Sequence, residues 1–175
     1  DMNLLLHTCC APCASHCVLT LRELGHTVTL FYTNANIAPH AEFLRRLESV
    51  ERLAERLAVP LLVEEPDHAD WLARVACGLE DASERGPRCA HCFRYSLCRT
   101  AARMRQCGFD GFTTSLSVSP HKHTATLFEA GRAIDAERFL AIDFKKRDGF
   151  LRRLQLATEF GLYRQSYCGC EFSRN

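Results

Sequence analysis

The 175-residue sequence has no apolar run approaching the roughly 18 residues that a membrane-spanning helix needs, so a helical membrane protein is not expected. The stretch from Asp1 to His7 lacks a basic region ahead of a long apolar one, the pattern of a secretory leader. Low-complexity segments and internal repeats are also missing, and 175 residues is close to the length of one domain. Net charge is almost absent, at +1. Cysteine is not scarce: there are 11, about 6% of the chain, short of the roughly 8–10% typical of disulfide scaffolds. A chain with 47% hydrophobic residues can fold on its core alone, so its cysteines point to a reducing, cytoplasmic setting with metal or redox chemistry.

The near-zero charge hides an asymmetry. Residues 1–84 carry six basic and thirteen acidic side chains (−7), and residues 85–175 carry sixteen and eight (+8). A basic second half is consistent with a nucleic-acid face, and equally with solvated helix surfaces.

Short apolar runs alternate with helical patterns. Met2–His7, His26–Thr33, Val59–Glu65, Gly111–Ser115 and Phe139–Phe144 are expected to be five strands. The clearest helix covers Ala41–Ala58, with Phe43, Leu47, Val50, Leu53, Ala54 and Leu57 on one face. Glu42, Arg45, Arg46, Glu48, Glu51, Arg52, Glu55 and Arg56 cover the other. The expectation for residues 1–175 is a single doubly wound α/β domain around a mostly parallel five-stranded sheet. In such a sheet ligands sit beyond the carboxyl ends of the strands, where strand order reverses, so the segments after strands one, four and five are where chemistry belongs.

Strand one runs into Cys9-Cys10-Ala11-Pro12-Cys13, with Pro12 suited to the first turn of a helix. Thiolates there lie beside backbone N–H groups and the positive end of a helix dipole. Adjacent cysteines make no relaxed disulfide with each other, so Cys9 and Cys10 are candidates for metal ligation or for pairing elsewhere, or are buried core residues. Cys89-Ala90-His91-Cys92 opens a helix whose apolar side is Phe93, Leu97, Ala101 and Met104. Two thiols three residues apart share a face, which supplies half of a four-thiolate site for zinc or an iron–sulfur cluster. Cys168-Gly169-Cys170 can close only a small strained disulfide, the behaviour of a redox couple, or can add two metal ligands. Cys17, Cys77, Cys98 and Cys107 are expected in the core.

Two polar segments follow strand ends. Ser115–His123 is rich in hydroxyls and ends in cations, suited to a phosphate or sugar; Ser119, His121 and Lys122 are its candidates for RNA contact. Asp143–Gly149 opens the densest basic stretch, with Lys145, Lys146, Arg147, Arg152, Arg153 and Arg164. Lys145, Lys146 and Arg164 are added as RNA contacts, and Phe144, Phe150, Tyr163 and Tyr167 can stack on bases or pack in the core.

The segments HTCCAPC, RCAHCFRYSL, TTSLSVSPHK, DFKKRDGF and GLYRQSYCGC, in this order along nearly the whole chain, resemble the QueH family of epoxyqueuosine reductases. The resemblance implies two-electron reduction of the epoxide of epoxyqueuosine at the wobble position of tRNA, giving queuosine and water, the last step of queuosine formation. It implies a fold similar to the adenine-nucleotide α-hydrolase-like (Rossmann-like) proteins. A cysteine turn replaces the Gly- and Ser-rich phosphate loop of those relatives, so ATP use is not expected. It assigns Cys9, Cys10, Cys89 and Cys92 to a [4Fe–4S] cluster and Cys168–Cys170 to a redox-active disulfide, and leaves Cys13 open as a further ligand to the cluster or to an additional iron. The partners implied are tRNA carrying epoxyqueuosine and an electron donor, with no membrane. Opening the epoxide needs a general acid, for which Asp143 and His121 are candidates; Asp143 can instead cap a turn or pair with Lys145. Two other functions use the same residues: a non-enzymatic zinc-binding RNA module, and a thiol–disulfide oxidoreductase.

Overall fold

The computed structural model describes residues 1–174. β1 (Asn3–His7) lies between β2 (Thr27–Tyr32) and β4 (Gly111–Thr114), and β3 (Leu61–Val63) pairs outside β2, giving the order β3-β2-β1-β4. All three pairings are parallel. Because every strand is followed by a crossover, side chains alternate between two covered faces. Leu4 and Leu6 enter a core formed by α1 (Ala11–Glu23) and α2 (His40–Leu57), which α6 (Gly149–Phe160) completes. Leu5, Phe31 and Phe112 point the other way, into a core with Phe93, Leu97, Ala101 and Met104 of α4 (Pro87–Cys107) and Leu127 of α5 (Thr124–Ile134). A short helix, α3 (His68–Trp71), continues into a π-helical turn at Leu72–Ala76, and Trp71 is fully buried there. No helix among the described residues is long and apolar enough to cross a membrane.

The sheet has four strands, not five. Phe139 makes one isolated bridge to Phe112, and pairing stops there. Beyond it the carbonyls that a fifth strand would offer are taken by hydroxyls: Thr113 donates to Leu140 at 2.8 Å and Ser117 to Ile142 at 2.8 Å. Ile142 N–H turns back onto the Leu140 carbonyl, and a turn follows. Cys17 is in the core as expected, but Cys77, Cys98 and Cys107 are exposed. Cys98 lies just beyond the buried Ser96–Leu97 edge of the apolar face of α4, on its exposed side, and Cys107 sits in its last turn. Arg46 departs from the polar face of α2 and is buried, with 2% of its surface exposed.

α6 docks against α1 through a close approach at Gly149. A Cβ there would lie 1.7 Å from the Phe144 carbonyl oxygen and 2.8 Å from His16 Nε2. Gly149→Ala is therefore expected to force the turn before α6 to move, costing about 3 kcal/mol and lowering Tm by roughly 6–12 °C. Calorimetry showing an unchanged Tm would contradict this packing.

Candidate metal and thiol centre

In the order β3-β2-β1-β4 the chain first builds outward from β1 on one side and then returns to its other side. Strand order thus reverses at the carboxyl end of β1, and Thr8, Cys9 and Cys10 occupy that crevice. Thr8 N–H still bonds the Phe31 carbonyl at 2.9 Å, and Asn34 Nδ2 holds the Thr8 carbonyl at 2.9 Å. Cys10 then caps α1 in extended conformation, with Pro12 in the first turn. Cap and third helical position share one side of the helix, so Cys13 is brought back over Cys10. The sulfurs of Cys9, Cys10 and Cys13 lie within 4.8 Å of one another.

Ser115, just past β4, spans the crevice: its Oγ accepts from Cys9 N–H at 3.0 Å and donates to Cys9 Sγ at 3.1 Å. Within the triad the proton affinities separate. Hydrogen bonds from Cys13 and Cys9 hold the Cys10 thiol well below its ordinary pKa, while the contact with Cys10 pushes Cys9 up to about 12 and raises Cys13. Three thiol sulfurs this close together could hold a soft metal ion.

The Cys89–Cys92 pair is positioned by the start of α4. Arg88, 1% exposed, donates through Nη1 to the carbonyls of Leu79, Glu80 and Ala82, which fixes the loop entering the helix. Cys89 Sγ accepts from Arg85 N–H at 3.3 Å. The two thiols lie outside the group of three mutually close sulfurs. Cys92 nevertheless lines a narrow cleft with His7, Cys9, Lys122 and Cys168. Burial raises the pKa of Cys89 and pushes that of Cys92 up to about 12.

The C-terminal segment is strapped over this end of the sheet. Arg46 donates from Nη1 to the Cys168 carbonyl at 2.8 Å and from Nη2 to the Tyr167 carbonyl at 2.9 Å, while its Nε pairs with Glu42 at 2.8 Å. Ala38 N–H bonds the Gly169 carbonyl, and the Tyr167 hydroxyl donates to the Ala38 carbonyl. Gly169 has φ +150°, and a Cβ there would lie 2.9 Å from Asn36 Nδ2, so the tight passage requires glycine. Cys168 and Cys170 are free thiols with different surroundings. Cys168 faces a cavity of about 360 Å³ that Cys9, Cys13, Ser119, Lys122, Arg153 and Tyr167 also line. Cys170 is buried with Ala35, Trp71, Val75 and Ala76.

The other sequence candidates divide. Ser119 and His121 line the cavity, and His121 Nδ1 lies 3.3 Å from Arg85 Nη2. Lys146 and Arg164 are exposed. Lys122 and Lys145 point inward instead: Lys122 Nζ is 2.6 Å from Cys168 Sγ, and Lys145 Nζ holds the Ser117 carbonyl, Thr124 Oγ1 and Asp143. Asp143 accepts from Lys145 N–H at 3.0 Å and pairs with its ammonium at 3.4 Å, so it caps and pairs as its alternative role foresaw. Ser115 and Ser117 are fully buried, and the bonds they make tie the loop to Cys9 and Ile142 rather than presenting hydroxyls outward. Phe144 is a core residue, and Phe150 lies under the Arg153 guanidinium at 4.5 Å.

Sequence reasoning gave no site role to His7, Arg46 or Gln165, and read Arg153 only as part of the basic stretch. His7 donates or accepts at Thr114 Oγ1 through Nδ1, its Nε2 has no partner, and burial takes its pKa down to about 4. Its signal was available: it is the last residue of β1, at the switch point. Arg153 reaches Cys13 Sγ at 3.6 Å, and Gln165 lines the cavity beside it.

Comparison with known proteins bears on this site. The family model described as "Epoxyqueuosine reductase QueH" matches residues 4–175. Curated relatives with that description include one from Streptococcus pyogenes serotype M1, 33% identical over 179 residues (98% of this chain, 70% of the relative). Another, from Thermotoga maritima, is 31% identical over 177 residues (98% and 90%). A third, from Dehalococcoides mccartyi, is 33% identical over 175 residues (98% and 92%). Among solved structures, a predicted subunit of tRNA methyltransferase from Methanocaldococcus jannaschii superposes with a TM-score of 0.62 at 14% identity, covering 91% of this chain and 75% of that one. At that identity the likeness concerns the α/β fold alone.

Proposed function

Because this chain belongs to the QueH family of epoxyqueuosine reductases, we propose that the cavity bounded by Cys9, Cys13, Lys122 and Cys168 is where it reduces epoxyqueuosine in tRNA. The chain is an oxidoreductase, an epoxyqueuosine reductase by family. Reducing an epoxide to an alkene breaks two C–O bonds, forms the C=C bond and releases water, consuming two electrons and two protons. The observation that carries the site assignment is the convergence of three thiols at the switch point, two of which, Cys9 and Cys13, line the same cavity as Cys168. Residues 1–175 act in this reading as one α/β unit of adenine-nucleotide α-hydrolase-like type, with the cysteine turn where a phosphate loop would stand.

The donor set fits a thiolate-held metal group, since soft sulfur ligands select iron–sulfur clusters or zinc. Cys9, Cys10, Cys89 and Cys92 are the proposed ligands of a [4Fe–4S] cluster, with Cys13 available to an additional iron. Such a cluster supplies single electrons at a potential set by nearby N–H donors and burial. The chain's own residues do the rest. Ser115 holds the Cys9 sulfur in register. Arg153, Gln165, Ser119 and Tyr167 supply polar contacts for the nucleoside from the cavity wall. The Cys168–Cys170 pair is the proposed redox couple, and exposed Lys146, Arg164 and His121 are the proposed contacts to tRNA. Asp143, tied to Lys145, serves in this reading as the anchor of its loop, and the proton donor is sought among the cavity residues. The reaction takes place in the cytoplasm with an external electron donor.

The cofactor is tested by anaerobic isolation followed by iron, sulfide and zinc analysis. About four irons and four sulfides per chain are expected. Stoichiometric zinc without sulfide would replace the cluster with a structural zinc site.

A further inference from the structure

One half-buried cation stands in the cavity wall beside the C-terminal thiol pair. Lys122 sits in the loop between β4 and α5, and its ammonium comes within 2.6 Å of Cys168 Sγ. It lies 5.9 Å from the Phe93 ring centroid, and both residues wall the clefts around Cys9, Cys92 and Cys168. Among the described residues, no carboxylate lies within ion-pair distance of it. A lysine drawn partly out of water with no carboxylate partner is left with a thiol sulfur as the polar group within its reach. Burial alone would pull the Lys122 pKa down, yet the sulfur of Cys168 and, beyond it, those of Cys92 and Cys89 raise it.

The two cysteines of the pair are placed unequally. Arg46 holds the peptide carbonyls on both sides of Cys168, whose sulfur faces the cavity and the lysine. Two residues on, Cys170 is 7% exposed among Ala35, Trp71, Val75 and Ala76.

We propose that Lys122 is a positioning residue for the reductase: it holds the Cys168 sulfur at the cavity wall as the reactive member of the Cys168–Cys170 pair, with Cys170 as the sheltered partner. The inference deepens the proposed role of the pair and rests on that reading only for its meaning in turnover. A cation within hydrogen-bond reach fixes where the sulfur points and stabilises the negative charge that moves through it as it exchanges or attacks an electrophile. Lys122 thus acts through Cys168, and its charge is spent inside the protein rather than on RNA phosphate.

The test needs neither tRNA nor an electron donor, so its failure is distinguishable from failure of the reductase assignment. Anaerobic, cofactor-loaded protein is treated with limiting iodoacetamide at neutral pH, and labelling is quantified by peptide mass spectrometry. In the wild type Cys168 is expected to label before Cys170 and faster than the exposed Cys98. Lys122→Met is expected to slow Cys168 about tenfold and leave Cys98 unchanged, and Lys122→Arg to restore most of the rate. Equal Cys168 rates in wild type and Lys122→Met would overturn the proposal. So would Cys170 labelling first in the wild type, a result that stands even if the methionine variant does not fold.

Discussion

A Cys10→Ser variant, prepared without oxygen, is expected to lose its bound metal and to retain less than about 1% of reductase activity while keeping its secondary structure. The expectation rests on position. Cys10 is 1% exposed, caps α1 at the reversal of strand order, and is the thiol whose pKa hydrogen bonds from Cys13 and Cys9 hold well below the ordinary value. Serine fills the same space and can cap the helix as well as cysteine, so the fold has little reason to change. What disappears is the soft sulfur proposed as a metal ligand. Circular dichroism and iron analysis on the same sample separate the two effects. Cys98→Ser provides the contrast: its side chain is exposed on α4, and stability and activity should remain within about 0.5 kcal/mol of wild type. Iron bound at wild-type stoichiometry by Cys10→Ser would remove Cys10 from the ligand set.

Arg46→Met is the second substitution with a large expected effect, because one side chain performs two tasks. Its guanidinium fork holds the carbonyls of Tyr167 and Cys168, and its Nε neutralises Glu42 in a place where the two side chains are 2% and 10% exposed. Methionine fills the volume but leaves two carbonyls and a carboxylate with fewer partners. Glu42 keeps the Tyr163 hydroxyl at 2.9 Å, so the loss is partial, about 3 kcal/mol. The functional loss should exceed what stability alone explains. Loosening the backbone at Cys168 by an ångström displaces its sulfur from the cavity wall, and a misplacement of that size costs about a hundredfold in rate. Arg46→Lys keeps a charge without the fork and should recover stability toward Glu42 but not the rate. An Arg46→Met protein with lowered Tm and unchanged turnover would show that the strap is only structural.

The sheet was legible because Leu4, Leu5 and Leu6 form a continuous apolar run that only a strand covered on both faces can use. The proposed location of the chemistry follows from it, since the cysteine turn comes straight after that strand. The fifth strand was not legible. Phe139–Phe144 has the apolar content of a strand, but its pairing is stopped by the hydroxyls of Thr113 and Ser117, which come from distant parts of the chain. Charge was the least readable property. Arg46, Arg88, Lys122 and Lys145 look like surface cations in the sequence and each turns inward to a carbonyl, a carboxylate or a sulfur. Such a side chain is recognised only when its acceptor is known. The exposed Cys77, Cys98 and Cys107 show the converse, because a lone cysteine in a helical pattern carries no sign of which side it faces.

The assignment of reductase chemistry to this cavity is tested most directly by nucleoside analysis of tRNA containing epoxyqueuosine after incubation with the anaerobically reduced protein. Wild-type protein should convert epoxyqueuosine to queuosine, and Cys168→Ser, handled in parallel, should leave it unconverted. Epoxyqueuosine persisting with the wild type while an established reductase converts the same tRNA, or full conversion by Cys168→Ser, would contradict the account.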